Sequence, residues 1–121
     1  ISGEILTPGV YTFDGGISFS ADIQFSGGPD DVFILQTTGN LLQADGTHVI
    51  LAGGAMAYNI FWQVAGQVTV GVGAVMKGVL LVKTDVLMMT GSSLDGRILA
   101  QTACNLQVAT ITESSAPAVR L

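Results

Sequence analysis

The stretch from Val79 to Gly96 reads VLLVKTDVLMMTGSSLDG, and the residues from Arg97 to Val108 continue as RILAQTACNLQV. Sliding the second stretch back until Arg97 meets Val79 lays it on the first. The matching pairs then include Gly78 with Gly96, Leu80 with Ile98, Thr84 with Thr102, and Met88 with Leu106. A fixed period of about 20 residues, built from short β-type runs and glycine or serine corners, predicts stacked coils of parallel strands, which is a solenoid.

The repeat extends toward the N-terminus with one change of length. Phe61 to Val64 falls on Val79 to Val82, an offset of 79 − 61 = 18, whereas Phe33 to Gln36 falls on Ile60 to Gln63, an offset of 60 − 33 = 27. The additional nine residues are best placed between Leu51 and Asn59. We therefore predict an all-β solenoid of about five coils, formed by residues 1–121 as a single domain, with one enlarged corner.

Composition excludes several classes of protein. Of the 121 residues, 49% are hydrophobic and only 11% are charged, yet no apolar run reaches the length of a membrane helix. The net charge is −5 with four basic residues, so no basic stripe exists to bind nucleic acid or an anionic membrane surface. The single cysteine excludes an internal disulfide.

Alternation along the middle strand of each coil sorts its side chains into inward and outward columns. Leu41, Val68, Val86 and Cys104 are predicted to point inward, which makes Cys104 a buried, inert thiol. The outward positions mix small, polar and apolar groups without a repeated charge, and they form the candidate binding face. Its residues are Gly16, Ser18, Asn40, Leu42, Gln67, Thr69, Asp85, Leu87, Thr102, Ala103 and Asn105.

The first strand of each coil is apolar on both sides. Leu35, Trp62, Leu80 and Ile98 are predicted to line the interior, with Trp62 as a core filler. The opposite side carries an apolar strip that would be too large to leave bare on a soluble monomer. We expect a covering segment over this strip, whose residues are Ile34, Phe61, Val79, Leu81 and Leu99.

No cluster of residues points to a metal site or to catalysis. His48 is the only histidine and has no cysteine or carboxylate group at ligand spacing, so we predict a surface or corner position for it. Asp30 and Asp31 follow Pro29, and a turn explains them better than a calcium site does. Acidic residues lie mostly at corners and the basic ones are scattered, which disfavours a polysaccharide-cleaving β-helix enzyme. We expect no cofactor.

Several segments resemble the microbial ice-binding (antifreeze) protein family, and the resemblance covers nearly the whole chain. They are Leu6 to Tyr11, Asp31 to Ile34, Asn59 to Val64 and Gly91 to Thr102. The resemblance implies a right-handed, irregular β-helix with a long helix beside it, in a secreted protein of cold adaptation. It places this chain in the C-terminal portion of that fold, without the covering helix. An N-terminal segment or a second chain would then supply the cover.

The resemblance implies ice binding without enzymatic activity, with the ice crystal surface as the partner. The family's ice-binding face often carries a Thr-(Ala/Gly)-x-(Thr/Asn) pattern, and Thr102-Ala103-Cys104-Asn105 fits it at every position. Thr84 to Leu87 fits only at the first position and Gly66 to Thr69 only at the last. The alternative is an extracellular structural or adhesive solenoid without ice affinity, since that function also needs only repeats.

Overall fold

The computed structural model describes residues 3–101, 103–106 and 109–112, which form parallel β-strands and a short 3-10 helix. Within these ranges no helix is long and apolar enough to cross a membrane. In chain order the elements are β1 (Ile5–Leu6), β2 (Gly9–Phe13), β3 (Ile17–Phe19), β4 (Ile23–Ser26), β5 (Phe33–Thr37), β6 (Leu41–Gln43), β7 (Val49–Ala52), the 3-10 helix (Ala57–Asn59), β8 (Ile60–Val64), β9 (Val68–Val70), β10 (Val75–Val82), β11 (Asp85–Met88), β12 (Ser93–Ala100), β13 (Ala103–Leu106) and β14 (Thr110–Thr112).

The strands stack into three sheets, and every strand pair is parallel. A six-stranded sheet has the order β14-β12-β10-β8-β5-β2, a five-stranded sheet has the order β13-β11-β9-β6-β3, and a three-stranded sheet has the order β1-β4-β7. The chain passes in turn along the six-stranded sheet, the five-stranded sheet and a third side, and we call one such passage a circuit. The third side consists of the three-stranded sheet and the first residues of β10 and β12. The all-β prediction is confirmed, with parallel sheets as expected.

Register between circuits follows the repeat read from the sequence. Val79 pairs with Phe61 at the shorter of the two predicted offsets, and Trp62 pairs with Leu35 at the longer one. The longer circuit carries the 3-10 helix Ala57–Asn59 after β7, within the segment predicted to hold the insertion. The additional residues therefore enlarge one corner and leave the strand pairing on either side of it intact.

Inward side chains from the three sides meet in a core with an aromatic centre. Trp62 is fully buried, its ring packing edge-on against Phe25 at a centroid distance of 5.7 Å and stacked on Phe19 at 6.3 Å. Burying a large apolar side chain contributes about 1.5–3 kcal/mol. The predicted inward residues Leu41, Val68 and Val86 are buried as well, whereas the side chain of Cys104 lies outside the described part of the structure.

Two glycines let the long strands β10 and β12 turn from the third side into the six-stranded sheet. Gly78 has a φ of 125° and pairs in register with Gly96, whose φ is 151°. Residues with side chains rarely tolerate such angles. A Cβ atom at Gly78 would also lie 2.8 Å from Nε1 of Trp62, which donates a hydrogen bond of 3.0 Å to the carbonyl oxygen of Lys77. The position of Trp62 therefore depends on the glycine bend, which leaves room for its indole ring and supplies the acceptor of its N–H.

One buried polar residue was not anticipated from the pattern. Gln43 lies in register with Phe19 and Val70 and is fully buried. Its Nε2 atom donates to the carbonyl oxygens of Thr47, at 3.1 Å, and Val75, at 2.9 Å. These two carbonyls belong to successive circuits, at the place where the third side is paired only through the isolated bridge between His48 and Val75. Gln43 thus joins the two circuits where backbone pairing is sparse.

Substitution of Gly96 tests whether the bends of β10 and β12, at Gly78 and Gly96, are packed against each other. We expect Gly96→Ala to lower the free energy of unfolding by at least about 3 kcal/mol, because the strained φ alone costs about 1–3 kcal/mol and the new methyl group would collide with the carbonyl oxygen of Gly78. Gly73→Ala is the control, since Gly73 has a φ of 67° and nothing near the added atom. Its expected cost is about 1–2 kcal/mol. Equal losses in urea unfolding of the two variants would contradict a packed bend.

Candidate functional site

Four strands of the five-stranded sheet, β3, β6, β9 and β11, each carry an outward side chain between two buried ones, and β13 continues the row by strand register alone. In β3, Ile17 and Phe19 are buried while Ser18 between them is exposed, and β6 repeats the pattern around exposed Leu42. Register aligns the corresponding residues of all five strands into a single column. Its members, in order along the stack, are Ser18, Leu42, Thr69, Leu87 and Asn105.

Parallel pairing gives this central column its geometry. Neighbouring strands lie about 4.8 Å apart, so the five positions span roughly 19 Å. Thr69 and Leu87 are half-buried between their neighbours, and Ser18 and Leu42 are exposed. Of the residues predicted near the C-terminal end, Thr102 lies outside the described residues, and Ala103 and Asn105 are described by strand register alone. The column is therefore a straight row in which polar and aliphatic residues alternate.

A second row of predicted residues, which we call the corner row, lies at the start of these strands or just before it, and hydrogen bonds join several of its members. Asn40 is exposed, yet its Oδ1 atom accepts the backbone N–H of Gln67 at 2.8 Å. The Nε2 atom of Gln67 donates to Oδ2 of Asp85 at 3.4 Å, and Asp85 pairs with Ala103. Gly16, which begins this row, contributes no side chain. The corner row therefore holds the circuits in line as well as facing outward.

The role of Asn40 differs from the sequence-based expectation of a side chain that simply faces solvent. A Cβ atom at Gly66 would overlap Oδ1 of Asn40, so the glycine leaves room for this oxygen. Asp45, beyond the other end of β6, does the same for the next corner, because its Oδ1 atom accepts the N–H of Val72 at 2.7 Å. We call such a hydrogen bond, from a side-chain oxygen at one corner to a backbone N–H of the next circuit, a tie. An Asn or Asp at a turn, followed by a glycine one circuit later, is the sequence signal that could have identified these ties.

The six-stranded sheet has two outward columns, and the residues of the predicted apolar strip are divided between them. Ile34, Phe61 and Val79 align in the first column, whereas Leu81 and Leu99 align in the second. Leu99 is 38% exposed, and Ile34, Phe61 and Leu81 are half-buried. Val79 is only 8% exposed, which corrects the expectation that the whole strip is bare. The 3-10 helix packs against β10, the strand that carries Val79.

A polar ladder occupies the same second column. Gln36 donates from Nε2 to Oε1 of Gln63 at 2.8 Å, and the hydroxyl of Thr12 donates to Oε1 of Gln36 at 3.4 Å. A groove of about 620 Å³ runs over these amides and over Leu81 and Leu99. This side of the molecule is thus amide-rich toward one end and aliphatic toward the other, unlike the mixed central column of the five-stranded sheet.

The described residues contain no group of three or more histidine, cysteine, aspartate or glutamate side chains that could hold a metal ion. His48 lies at a corner as predicted, half-exposed, with Nδ1 3.5 Å from Oδ1 of Asp22. Asp31 closes a turn by accepting the N–H of Gly28 at 2.7 Å. Lys77 and Asp95 form an ion pair of 3.6 Å on the third side. Each of these side chains therefore has a partner within the fold.

The architecture is that of a repeat protein in which three parallel sheets are stacked circuit by circuit and the outward columns recur in each circuit. Residues 1–112 match the family model described as ice-binding-like, and the chain belongs to this family. An ice-binding protein of a Colwellia species is 49% identical over 111 residues, which are 92% of this chain and 44% of that protein. An ice-binding protein of Flavobacterium frigoris is 45% identical over 93% of this chain and 41% of its own length.

Solved structures agree with this assignment. The ice-binding protein of an Arctic yeast, whose structure was described as the basis of its antifreeze activity, superposes with a TM-score of 0.94 at 43% identity. The match covers 100% of this chain and 53% of that one. An ice-binding protein from an Antarctic Flavobacteriaceae bacterium gives a TM-score of 0.91 at 34% identity, over 98% of this chain and 29% of the other. The chain spans less than half the length of the curated relatives described above.

The tie made by Asn40 can be tested by hydrogen exchange. We expect Asn40→Ala to accelerate exchange of the Gln67 amide and to cost about 1 kcal/mol of stability, because the N–H loses its acceptor. The amide of Val72, which Asp45 holds, serves as the internal control. Asn40→Asp keeps an acceptor oxygen and should retain slow exchange at Gln67. Equal acceleration at both amides in the alanine variant would show general loosening instead of a local tie.

Proposed function

We propose that this protein adsorbs to ice through the central column of the five-stranded sheet and the corner row beside it. The alignment of Ser18, Leu42, Thr69, Leu87 and Asn105 in one straight row carries the proposal. Membership of the ice-binding-like family supports it, as do relatives whose names describe ice binding. The full set of proposed contact residues is Gly16, Ser18, Asn40, Leu42, Gln67, Thr69, Asp85, Leu87, Thr102, Ala103 and Asn105.

Adsorption of this kind needs ordered water and no reaction centre. Outward groups repeated at about 4.8 Å give waters equivalent positions on successive circuits. Methyl groups such as those of Thr69 and Leu87 restrict the water beside them, and hydroxyl or amide groups anchor it by hydrogen bonds. Ice itself is then the ligand, and the protein acts without a cofactor, a metal or catalysis.

The same proposal includes the finer architecture. The circuits would form a right-handed β-helix of about five coils within one domain over residues 1–121, which would be part of a larger ice-binding domain. Family membership and the constant order in which the chain visits its three sides support this. We also propose that the protein is secreted and acts outside the cell, where ice forms, in cold adaptation.

Adsorption is tested by ice-affinity partition and by thermal hysteresis. We expect the protein to enrich in slowly grown ice and to open a gap between melting and freezing, and the variant Thr69→Tyr to lose most of both effects. The bulky ring would stand above the row, whereas the half-buried threonine lies within it. Asn105→Tyr, at the next polar position of the row, should act in the same direction.

The control for these substitutions is Thr12→Tyr, at an exposed position of the six-stranded sheet, which should leave ice adsorption unchanged. All variants are checked for unchanged unfolding temperature. Exclusion of the wild-type protein from ice, alone and when joined to a covering segment, would favour a structural or adhesive role. Adsorption that neither tyrosine variant weakens would move the binding face elsewhere.

We further propose that an N-terminal segment or a second chain covers the apolar strip on the six-stranded sheet. The groove over Leu81 and Leu99 and the 38% exposure of Leu99 support a cover. The covering segment would bury Ile34, Phe61, Leu81 and Leu99 and complete the burial of Val79.

A hydrophobic dye tests for this cover. We expect the double variant Leu81→Gln and Leu99→Gln to bind less dye than the wild type, since it removes the aliphatic end of the groove. The new amides would continue the existing ladder of Gln36 and Gln63, so the fold should persist. Ile50→Gln, on the third side, is the control. Dye binding that is the same in the double variant and the wild type would argue against an uncovered strip.

A further inference from the structure

Leu42 interrupts the central column of the five-stranded sheet. Its side chain is 50% exposed, and no other large apolar side chain on the described strands of this sheet is as exposed. Register places Ser18 on one side of it and Thr69 on the other. A protruding aliphatic group therefore separates two hydroxyl-bearing residues of the row.

The difference between leucine and its neighbours is one of height and of mobility. The terminal methyl groups of leucine lie two bonds from Cβ, whereas the hydroxyl oxygen of serine or threonine lies one bond from it. Because Leu42 is 50% exposed, fewer neighbours restrict its rotamers than in the core, and ordering the side chain against ice costs conformational entropy. A flat, lattice-like water layer would be displaced at this point.

Leu87 does not present the same obstacle, although it occupies the equivalent position two circuits later. It is half-buried between Thr69 and Asn105, so less of it rises above the row. Leu42 alone, among the described residues of this column, combines an aliphatic side chain with high exposure. The interruption therefore lies between the first and third circuits.

We propose that Leu42 is the residue that limits the affinity of this face for ice, an inference that rests on the proposed function. Replacing it by threonine would bring a continuous row of hydroxyl groups from Ser18 to Thr69. Threonine is β-branched and suits an exposed strand position. Leu42→Thr therefore strengthens ice adsorption without altering the fold.

The experiment compares thermal hysteresis and ice partition for the wild type, Leu42→Thr and Leu42→Val. Valine has the shape of threonine without its hydroxyl, so it removes the extra height alone. We expect a several-fold gain in hysteresis for the threonine variant and a smaller gain for the valine variant. Ile50→Thr is the matched control, because Ile50 is 41% exposed at an outward position of another sheet and should give no gain.

The variant Thr69→Tyr, measured alongside, separates this inference from the proposed function. Leu42→Thr or Leu42→Val activity at or below the wild-type value overturns the role of Leu42. If Thr69→Tyr still abolishes adsorption in that case, the face stands and only the inference about Leu42 fails. If Thr69→Tyr also leaves adsorption unchanged, the proposed face itself is wrong. A gain in Ile50→Thr equal to that in Leu42→Thr also overturns the inference.

Discussion

Parallel backbone pairing between successive circuits determines which side chains stand above one another. Each strand of the five-stranded sheet aligns residue by residue with its neighbour, so one outward position per strand becomes one row along the stack. The same pairing aligns inward residues such as Leu41, Val68 and Val86 into columns of the core. The same register therefore determines both the core columns and the outward columns. A slip of one residue would turn the inward side chains of a strand outward.

The circuits differ in length, and the largest difference lies between β7 and β8. A smaller one lies between β6 and β7, since Ile17 pairs with Leu41 (41 − 17 = 24) and Ile23 with Val49 (49 − 23 = 26). The additional residues follow β7 and include the 3-10 helix, away from the five-stranded sheet. Gln43 joins the carbonyl groups of Thr47 and Val75 from inside, and Asp45 and Asn40 hold the corners from outside. Because these ties flank β6 and β9, the row keeps its alignment between circuits of unequal length.

The repeat was sufficient to predict the parallel stacking, the offsets of 18 and 27 residues and most columns, since these depend on periodicity alone. It gave no offset for the first circuit, where Ile17 pairs with Leu41 (41 − 17 = 24). It could not place Gln43, because a polar residue in an apolar column is tolerated only when specific carbonyl groups lie within reach, and these come from a corner and the next circuit. It also did not show that Val79 is only 8% exposed, because alternation along the strand predicts an outward side chain without giving what packs beside it. The tie made by Asn40 depends on side-chain rotamer, which spacing does not specify.

The two outward surfaces place different physical demands on the same repeat. An ordered water layer requires outward positions that repeat at a constant spacing, and the register of the five-stranded sheet supplies that spacing. Leu42 is the most exposed large apolar residue on the described strands of this sheet. The groove over Leu81 and Leu99 offers the reverse, a recess in which aliphatic and amide groups are segregated along the stack. A recess favours a folded polypeptide, which can match it in shape, and not a flat crystal plane. Under the proposed function, the separation of these surfaces onto different sides would allow one side to be covered while the other stays open to ice.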